Sequence, residues 1–147
     1  MSECSRDDLS GGGAGGQKRD RKYSGIRLRH VPSGVTASST ISRSRGRNES
    51  DALSKLRVSI ALDIRCEPPD DVSALSAAVR SGARLSPSVV ADVFDVLDAC
   101  GYRMGEAAGA IGVSTGRLTK ALSLDKSIWR RLNEIRTSLG MRSLSAS

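Results

Sequence analysis

The run Gly11-Gly-Gly-Ala-Gly-Gly16 followed by Gln17 is the stretch whose residue types most invite a chemical reading. Glycines open backbone angles closed to other residues and let the chain approach a ligand closely. The formal G-x-G-x-x-G match at Gly11, Gly13 and Gly16 lacks the preceding buried strand and the Gly-Lys-Ser/Thr ending of a phosphate loop. Taken alone, the run reads as a flexible Gly/Ser linker. The residues after it are strongly basic: Lys18, Arg19, Arg21, Lys22, Arg27, Arg29, Arg43, Arg45 and Arg47 face only Asp20 between residues 18 and 47. The whole 147-residue chain carries a formal charge of +7, so a polyanionic partner is expected, with nucleic acid or an acidic membrane surface as the two usual candidates. No Ser/His/Asp arrangement is present. His30 is the only histidine and reads as a strand residue making a structural or RNA contact rather than as a general base. Cys4, Cys66 and Cys100 are far apart and lack paired spacing, which predicts free thiols, no metal and a cytoplasmic setting.

These residues need elements to hold them. Ile26 and Leu28 alternate with Arg27 and Arg29, as on a half-buried strand. Pro32-Ser33-Gly34 supplies turn chemistry, and Val35 to Ile41 reads as the returning strand. Asn48 reads as the N-cap of a helix, with Glu49 and Asp51 in its first turn. Leu53, Leu56 and Ile60 then form an apolar stripe able to cover the hairpin. Pro68-Pro69 closes this part, so the expected division is residues 1–67 and 68–147. The fold class is α+β, a β-hairpin packed on a helix, followed by a small all-α helical domain.

In that second part Ala74 to Val79 form one amphipathic segment. Ser86-Pro87 opens the next, which carries Val89, Val90, Val93, Phe94 and Leu97 and stops near Gly101. Ala107 to Ile111 and Arg117 to Leu122 are short helices joined across Gly112-Val113-Ser114, with Ala108, Gly112 and Leu118 at helix-turn-helix spacing. Thr115, Arg117, Thr119 and Lys120 would be its exposed, candidate nucleic-acid face. Asp92, Asp95 and Asp98 make the preceding helix acidic, which weighs against a broad DNA footprint. A last helix carries Ile128, Trp129, Leu132 and Ile135, with Trp129 expected in the core.

Gly15-Gly16-Gln17, then Ser24-Gly25-Ile26-Arg27-Leu28-Arg29-His30-Val31-Pro32-Ser33-Gly34, resembles the GGQ catalytic domain of class I peptide chain release factors. Arg43-Ser44-Arg45-Gly46-Arg47-Asn48 falls in register on that family's R-S-Q-x-x-N, ahead of Ala52-Leu53 and Leu56. The resemblance runs ungapped from residue 12 to about 62. It implies a small release factor of the ribosome-rescue type that hydrolyses the peptidyl-tRNA ester. Gly15, Gly16 and Gln17 would be catalytic, the Gln17 N–H stabilising the oxyanion and its side chain selecting water as nucleophile. One such donor is worth about 3 kcal/mol in a transition state. Lys18, Arg19, Arg21, Lys22, Arg27, Arg29, His30, Arg43, Arg45 and Arg47 would contact rRNA and tRNA. The implied partners are the peptidyl-transferase centre of the ribosome and peptidyl-tRNA, with no cofactor and no membrane.

Four departures stand out. Arg45 replaces the family's glutamine, Asp20-Arg21 a common Asn-Lys pair, and Ala14 a frequent proline. Ser5 to Leu9 make a poor first strand, so the family's opening strand is expected to be short, absent or lost through a misassigned start. No stop-codon-reading domain and no Lys/Arg-rich tail is visible, so release independent of a codon is expected. The sequence leaves the oligomeric state open, with a monomer as the default expectation, and nothing in it suggests a coiled coil. Two rivals remain: a ribosome- or RNA-binding regulator without hydrolytic activity, and a helix-turn-helix nucleic-acid binder.

Overall fold

The computed structural model describes residues 3–9 and 24–145. Gly15, Gly16, Gln17, Lys18, Arg19, Arg21 and Lys22 lie outside the described residues. The chain is α+β: three strands, β1 (Cys4–Leu9), β2 (Gly25–His30) and β3 (Thr36–Ser39), precede six helices. The helices are α1 (Arg45–Asp63), α2 (Ser73–Ser81), α3 (Pro87–Ala99), α4 (Met104–Ile111), α5 (Thr115–Ser123) and α6 (Lys126–Ser138). It divides into two compact units after Ile60, inside the last turns of α1 rather than at Pro68-Pro69. Among the described residues no helix is long and apolar enough to cross a membrane.

The first unit is an antiparallel sheet of order β1-β2-β3 covered on one face by α1. Alternation on β2 works as its sequence predicts: Ile26 and Leu28 are buried and Arg27 and Arg29 exposed. Ala52 and Leu56 of α1 complete the core, with Leu53, Ile60, Val35 and Ala37 packed around it. β3 is shorter than the predicted 35–41, because Ile41 lies beyond the pairing and is exposed.

Ser5 to Leu9, a poor strand by sequence, do form one: of the outcomes expected for the opening strand, the short one is found, six residues long. β1 pairs with β2 along its whole length, from Cys4 opposite His30 to Leu9 opposite Gly25. Its residues are mostly exposed, so hydrophobic alternation gives no sign of it. The backbone ladder holds it, and two ion pairs fasten it to α1: Arg6 to Glu49 at 2.9 Å and Asp8 to Arg45 at 2.6 Å. Charged side chains on an edge strand also discourage pairing with another chain.

Asn48 is not the N-cap of α1. The helix begins at Arg45, and Ser44 precedes it, its carbonyl accepting the Asn48 N–H at 3.1 Å. Glu49 and Asp51 therefore fall after the first turn, which holds no acidic residue.

In the second unit α3 packs against α2 and α4, α5 packs against α4 and α2, and α6 packs against α5. Val93 to Leu97 are buried without a break. Five consecutive residues occupy more than one helical face, so α3 is enclosed on several sides. The expected Ser86 cap is present, its hydroxyl accepting the Val89 N–H, with Pro87 at the first helical position. α3 ends at Ala99, ahead of Gly101, and Gly101 and Tyr102 both take φ of +57° in the turn to α4. Tyr102 sets its ring edge-on to Phe94 at 6.5 Å. Burial, and secondarily the charge of Asp98, push the Tyr102 hydroxyl pKa up.

Asp95 does not join an acidic surface. It is buried, pairs with Arg65 at 2.9 Å and accepts the Cys66 N–H at 3.0 Å. The Arg65 guanidinium also lies over the Phe94 ring, 5.4 Å from its centre. Trp129 is half-buried rather than in the core, and with Asn133 and Thr137 it borders a shallow depression on α6.

Candidate functional site

The segment from residue 10 to 23 joins the end of β1 to the start of β2, so Leu9 and Ser24 are its two roots. Leu9 stands opposite Gly25 in the ladder. The approach there is close: a Cβ on Gly25 would lie 2.9 Å from the Leu9 carbonyl oxygen and 3.1 Å from Thr40 Cγ2. Glycine at 25 is thus a steric requirement where the segment returns to the sheet. Ile26 pairs with Ser39 at the end of β3, which brings the chain leaving β3 to this same end of the sheet.

That chain runs through Ser42 into the first turn of α1 and carries Arg43, Arg45 and Arg47, all exposed. The fold therefore gathers these three arginines near the roots of the 10–23 segment. Arg27 and Arg29 are exposed on the opposite face of the sheet from α1. Arg45 is not a free cation, because Asp8 of β1 neutralises it at 2.6 Å. The arginine that departs from the release-factor pattern thus ties β1 to α1.

His30 is at the other end. Five strand steps separate it from Gly25, about 17 Å at the usual rise. Its Nδ1 is 2.7 Å from the Ser33 hydroxyl, which also accepts the Val35 N–H at 3.3 Å. Its Nε2 lies 3.6 Å from Glu3. These contacts fix the turn at Pro32 to Gly34, where Gly34 takes φ of +71°. The structure thus separates His30 from the arginines of the α1 turn.

Asn48 is the residue that sequence reading missed as part of the site. Its side chain is fully buried. The carboxamide oxygen accepts the Ser42 N–H at 2.8 Å, with the Ser39 hydroxyl at 3.5 Å. The carboxamide nitrogen donates to the carbonyls of Ser42 and Ser24. One planar amide thus joins the return root of the 10–23 segment to the link between β3 and α1. Leaving such a buried group unpaired would cost about 1–3 kcal/mol. The signal was present in the sequence, as an asparagine in register with the family's R-S-Q-x-x-N, but a polar residue ahead of an apolar stripe read as a cap.

The other candidate face is on α5. α4 ends at Gly112 with φ of +79°, and the Val113 N–H returns to the Ala108 carbonyl at 2.9 Å, the bonding of a Schellman turn. The Ser114 hydroxyl accepts the Arg117 N–H and starts α5. Ala108 and Leu118 are buried where the helices meet. Thr115, Arg117 and Lys120 are exposed, and Thr119 is half-buried. Arg80 of α2 donates to the Gly112 carbonyl and adds a cation beside the turn.

Elsewhere little chemistry converges. Cys4, Arg6, Leu28, Glu49 and Leu53 line a depression of about 200 Å³ beside β1, where the Arg6–Glu49 pair occupies the polar groups. Among the described residues no three His, Cys, Asp or Glu side chains are grouped to hold a metal ion. No family model matches this chain, and no solved structure matches it.

Proposed function

We propose that this chain releases nascent peptides on the ribosome, without reading a codon, by hydrolysing the ester that joins peptide to tRNA. The observation that carries the reading is Gly15-Gly16-Gln17 in one register with Ser24 to Gly34 and with Arg43 to Asn48. Water adds to the ester carbonyl, negative charge develops on the carbonyl oxygen, and the Gln17 N–H donates to it. The bond to the tRNA 3′ oxygen then breaks, giving a free peptide carboxylate and a tRNA hydroxyl. Glycine at 15 and 16 permits the close approach this donor needs. The ribosome supplies the remaining groups, and rescue of stalled complexes is the setting. The exposed Arg27, Arg29, Arg43 and Arg47 support a polyanionic partner.

The test is release of labelled peptide from ribosome complexes with and without a codon in the A site, comparing wild type with Gly16→Ala. Release from codon-free complexes that the variant loses is the expected result. Ribosome binding without release from any complex would replace this reading by that of a regulator without hydrolytic activity.

A second reading concerns the helical unit alone. The Schellman turn at Gly112, the Ser114 cap and the exposed Thr115, Arg117 and Lys120 favour nucleic-acid contact through α5 as a recognition helix. An Arg117→Ala/Lys120→Ala variant would then bind ribosomes or duplex DNA more weakly, with a shallower dependence on salt. Unchanged binding and salt slope on both would leave α5 a packing element.

A further inference from the structure

We infer that the face of the sheet turned away from α1 is a docking surface for double-stranded RNA, held by its sugar-phosphate backbone on Arg27, Arg29 and the hydroxyls beside them. The inference goes beyond peptide release: it stands on β1, β2 and β3 and does not depend on the hydrolytic reading.

Side chains alternate across a strand, so the residues that meet α1 identify those that do not. Cys4, Arg6 and Asp8 of β1 turn toward the helix, the first against the apolar core and the others in ion pairs with Glu49 and Arg45. Ile26 and Leu28 of β2 and Ala37 of β3 do the same through the core. The opposite face is left to Ser5, Asp7, Arg27, Arg29, Thr36 and Ser38, every one of them exposed. The register sets them in two rows. Arg29 stands between Ser5 and Thr36, and Arg27 between Asp7 and Ser38.

Cations on the two sides of the sheet differ in state. On the α1 side Arg6 and Arg45 each hold a carboxylate, at 2.9 and 2.6 Å. On the open face neither Arg27 nor Arg29 pairs with a carboxylate among the described residues, although Asp7 is the neighbour of Arg27 across the ladder. A guanidinium keeps its charge at any physiological pH, and its fork of donors matches a phosphate. Two strand steps set the pair about 7 Å apart at their Cα atoms, the scale of the step between consecutive phosphates.

The makeup of the face selects the occupant. It offers no apolar side chain to enter a bilayer. It offers no aromatic ring either, so unpaired bases find nothing to stack on. Three strands span about 10 Å between their outer axes and more with side chains, too broad to enter the B-DNA major groove of about 12 Å. The minor groove of an A-form RNA helix is wide and shallow and displays 2′-hydroxyls between its phosphates. Ser5, Thr36 and Ser38 can both donate and accept, which suits those hydroxyls, while the arginines take the phosphates. Asp7 is the one group on the face that repels a phosphate, and it directs the backbone toward the row of Ser5, Arg29 and Thr36.

The experiment measures binding of the full chain to an RNA duplex of about 16 base pairs across a range of salt. A DNA duplex and an RNA single strand of the same length, and vesicles rich in phosphatidylserine, are measured alongside. Arg27→Ala and Arg29→Ala should each lower the salt slope on the RNA duplex by about one and weaken binding about fivefold at physiological salt. Asp7→Asn should tighten it about twofold or more. Arg6→Gln, on the α1 side, should leave the slope unchanged. A gain of binding does not come from a loss of fold, so Asp7→Asn keeps the test sharp even where alanine disturbs the strand.

No binding to the RNA duplex, or binding and slope unchanged in both arginine variants, overturns the inference. Equal losses on the DNA duplex or the single strand, or losses on vesicles alone, overturn the assignment to double-stranded RNA. Peptide release by a chain whose duplex binding ignores these substitutions keeps the hydrolytic reading and overturns this one. The predicted losses in a chain that releases no peptide do the reverse.

Discussion

The two units hold themselves together by different means. Up to Ile60 the sequence carries twelve Lys and Arg against six Asp and Glu; from Ala61 on it carries eleven against ten. The basic unit has a core centred on Ile26, Leu28, Ala52 and Leu56. The helical unit buries Phe94, Leu97, Ile111, Leu118, Leu122 and Leu132 and many smaller side chains besides. Each also buries a polar group that fastens irregular chain. In the basic unit it is the neutral amide of Asn48, which holds Ser24 and Ser42. In the helical unit it is Asp95, which holds Arg65 and Cys66 with the help of an ion pair. A small sheet with excess positive charge has little apolar area to set the path of its loops, so directed hydrogen bonds set it. A well-filled helical core needs such a device only where the chain arrives from α1.

The sharpest break in the comparison is functional. Gly16→Ala should lower peptide release by about 10²–10³-fold, the usual consequence of disturbing one oxyanion donor. Thermal unfolding of the chain should be unaffected. Release that survives this change would remove the reacting end from the basic unit.

Core truncations come next. Phe94→Ala should cost about 3–5 kcal/mol and Leu56→Ala about 2–5 kcal/mol. Hydrogen exchange should separate them, the first accelerating amides of α3 and α4 and the second those of β2 and α1. Equal acceleration in both units by either variant would mean that they unfold as one.

Asp95→Asn keeps an acceptor for the Cys66 N–H but leaves the Arg65 cation without its carboxylate. A loss of about 1–3 kcal/mol in denaturant unfolding is expected, confined to the helical unit. A neutral or stabilising outcome would show that the ion pair only offsets its own desolvation.

Smaller effects lie at the surface. Asp125 caps α6 by accepting the Ser127 and Ile128 N–H groups and pairs with Arg84 at 2.8 Å. Burial raises its pKa, but the Ser127 and Ile128 hydrogen bonds and Arg84 outweigh it, so the net shift is downward. A carboxyl whose pKa is lower when folded adds stability above its unfolded pKa and loses it as pH falls through the folded value. Asp125→Ala should cost about 1 kcal/mol at neutral pH, and the difference from wild type should shrink in acid. A constant difference down to strongly acidic pH would exclude the carboxylate as its source. For Asp8 and Arg45, reversing either charge should cost under about 1 kcal/mol, and exchanging both should restore it. Absence of restoration would mean that this pair adds nothing to the hold on β1, leaving the backbone ladder and the Arg6–Glu49 pair.

Local pattern made much of this fold legible. Alternation at Ile26 to Arg29, the Ser86-Pro87 start and the Gly112-Val113-Ser114 turn each express a preference of a few adjacent residues, and each element formed where that preference lay. The sequence by itself also set the excess of positive charge before Ile60 and the Gly-Gly-Gln run, because composition and order need no folding to exist. Three features were decided only in three dimensions. β1 has no hydrophobic period and exists because β2 offers it a ladder and α1 offers partners for Arg6 and Asp8. Asn48 looked like a cap because sequence shows what precedes an apolar stripe, not which carbonyls lie beside it. Asp95, read as part of an acidic row, turned inward because Arg65, 30 residues earlier, reached it. Such pairings join residues far apart in sequence, and only the packed chain brings their partners within hydrogen-bonding distance.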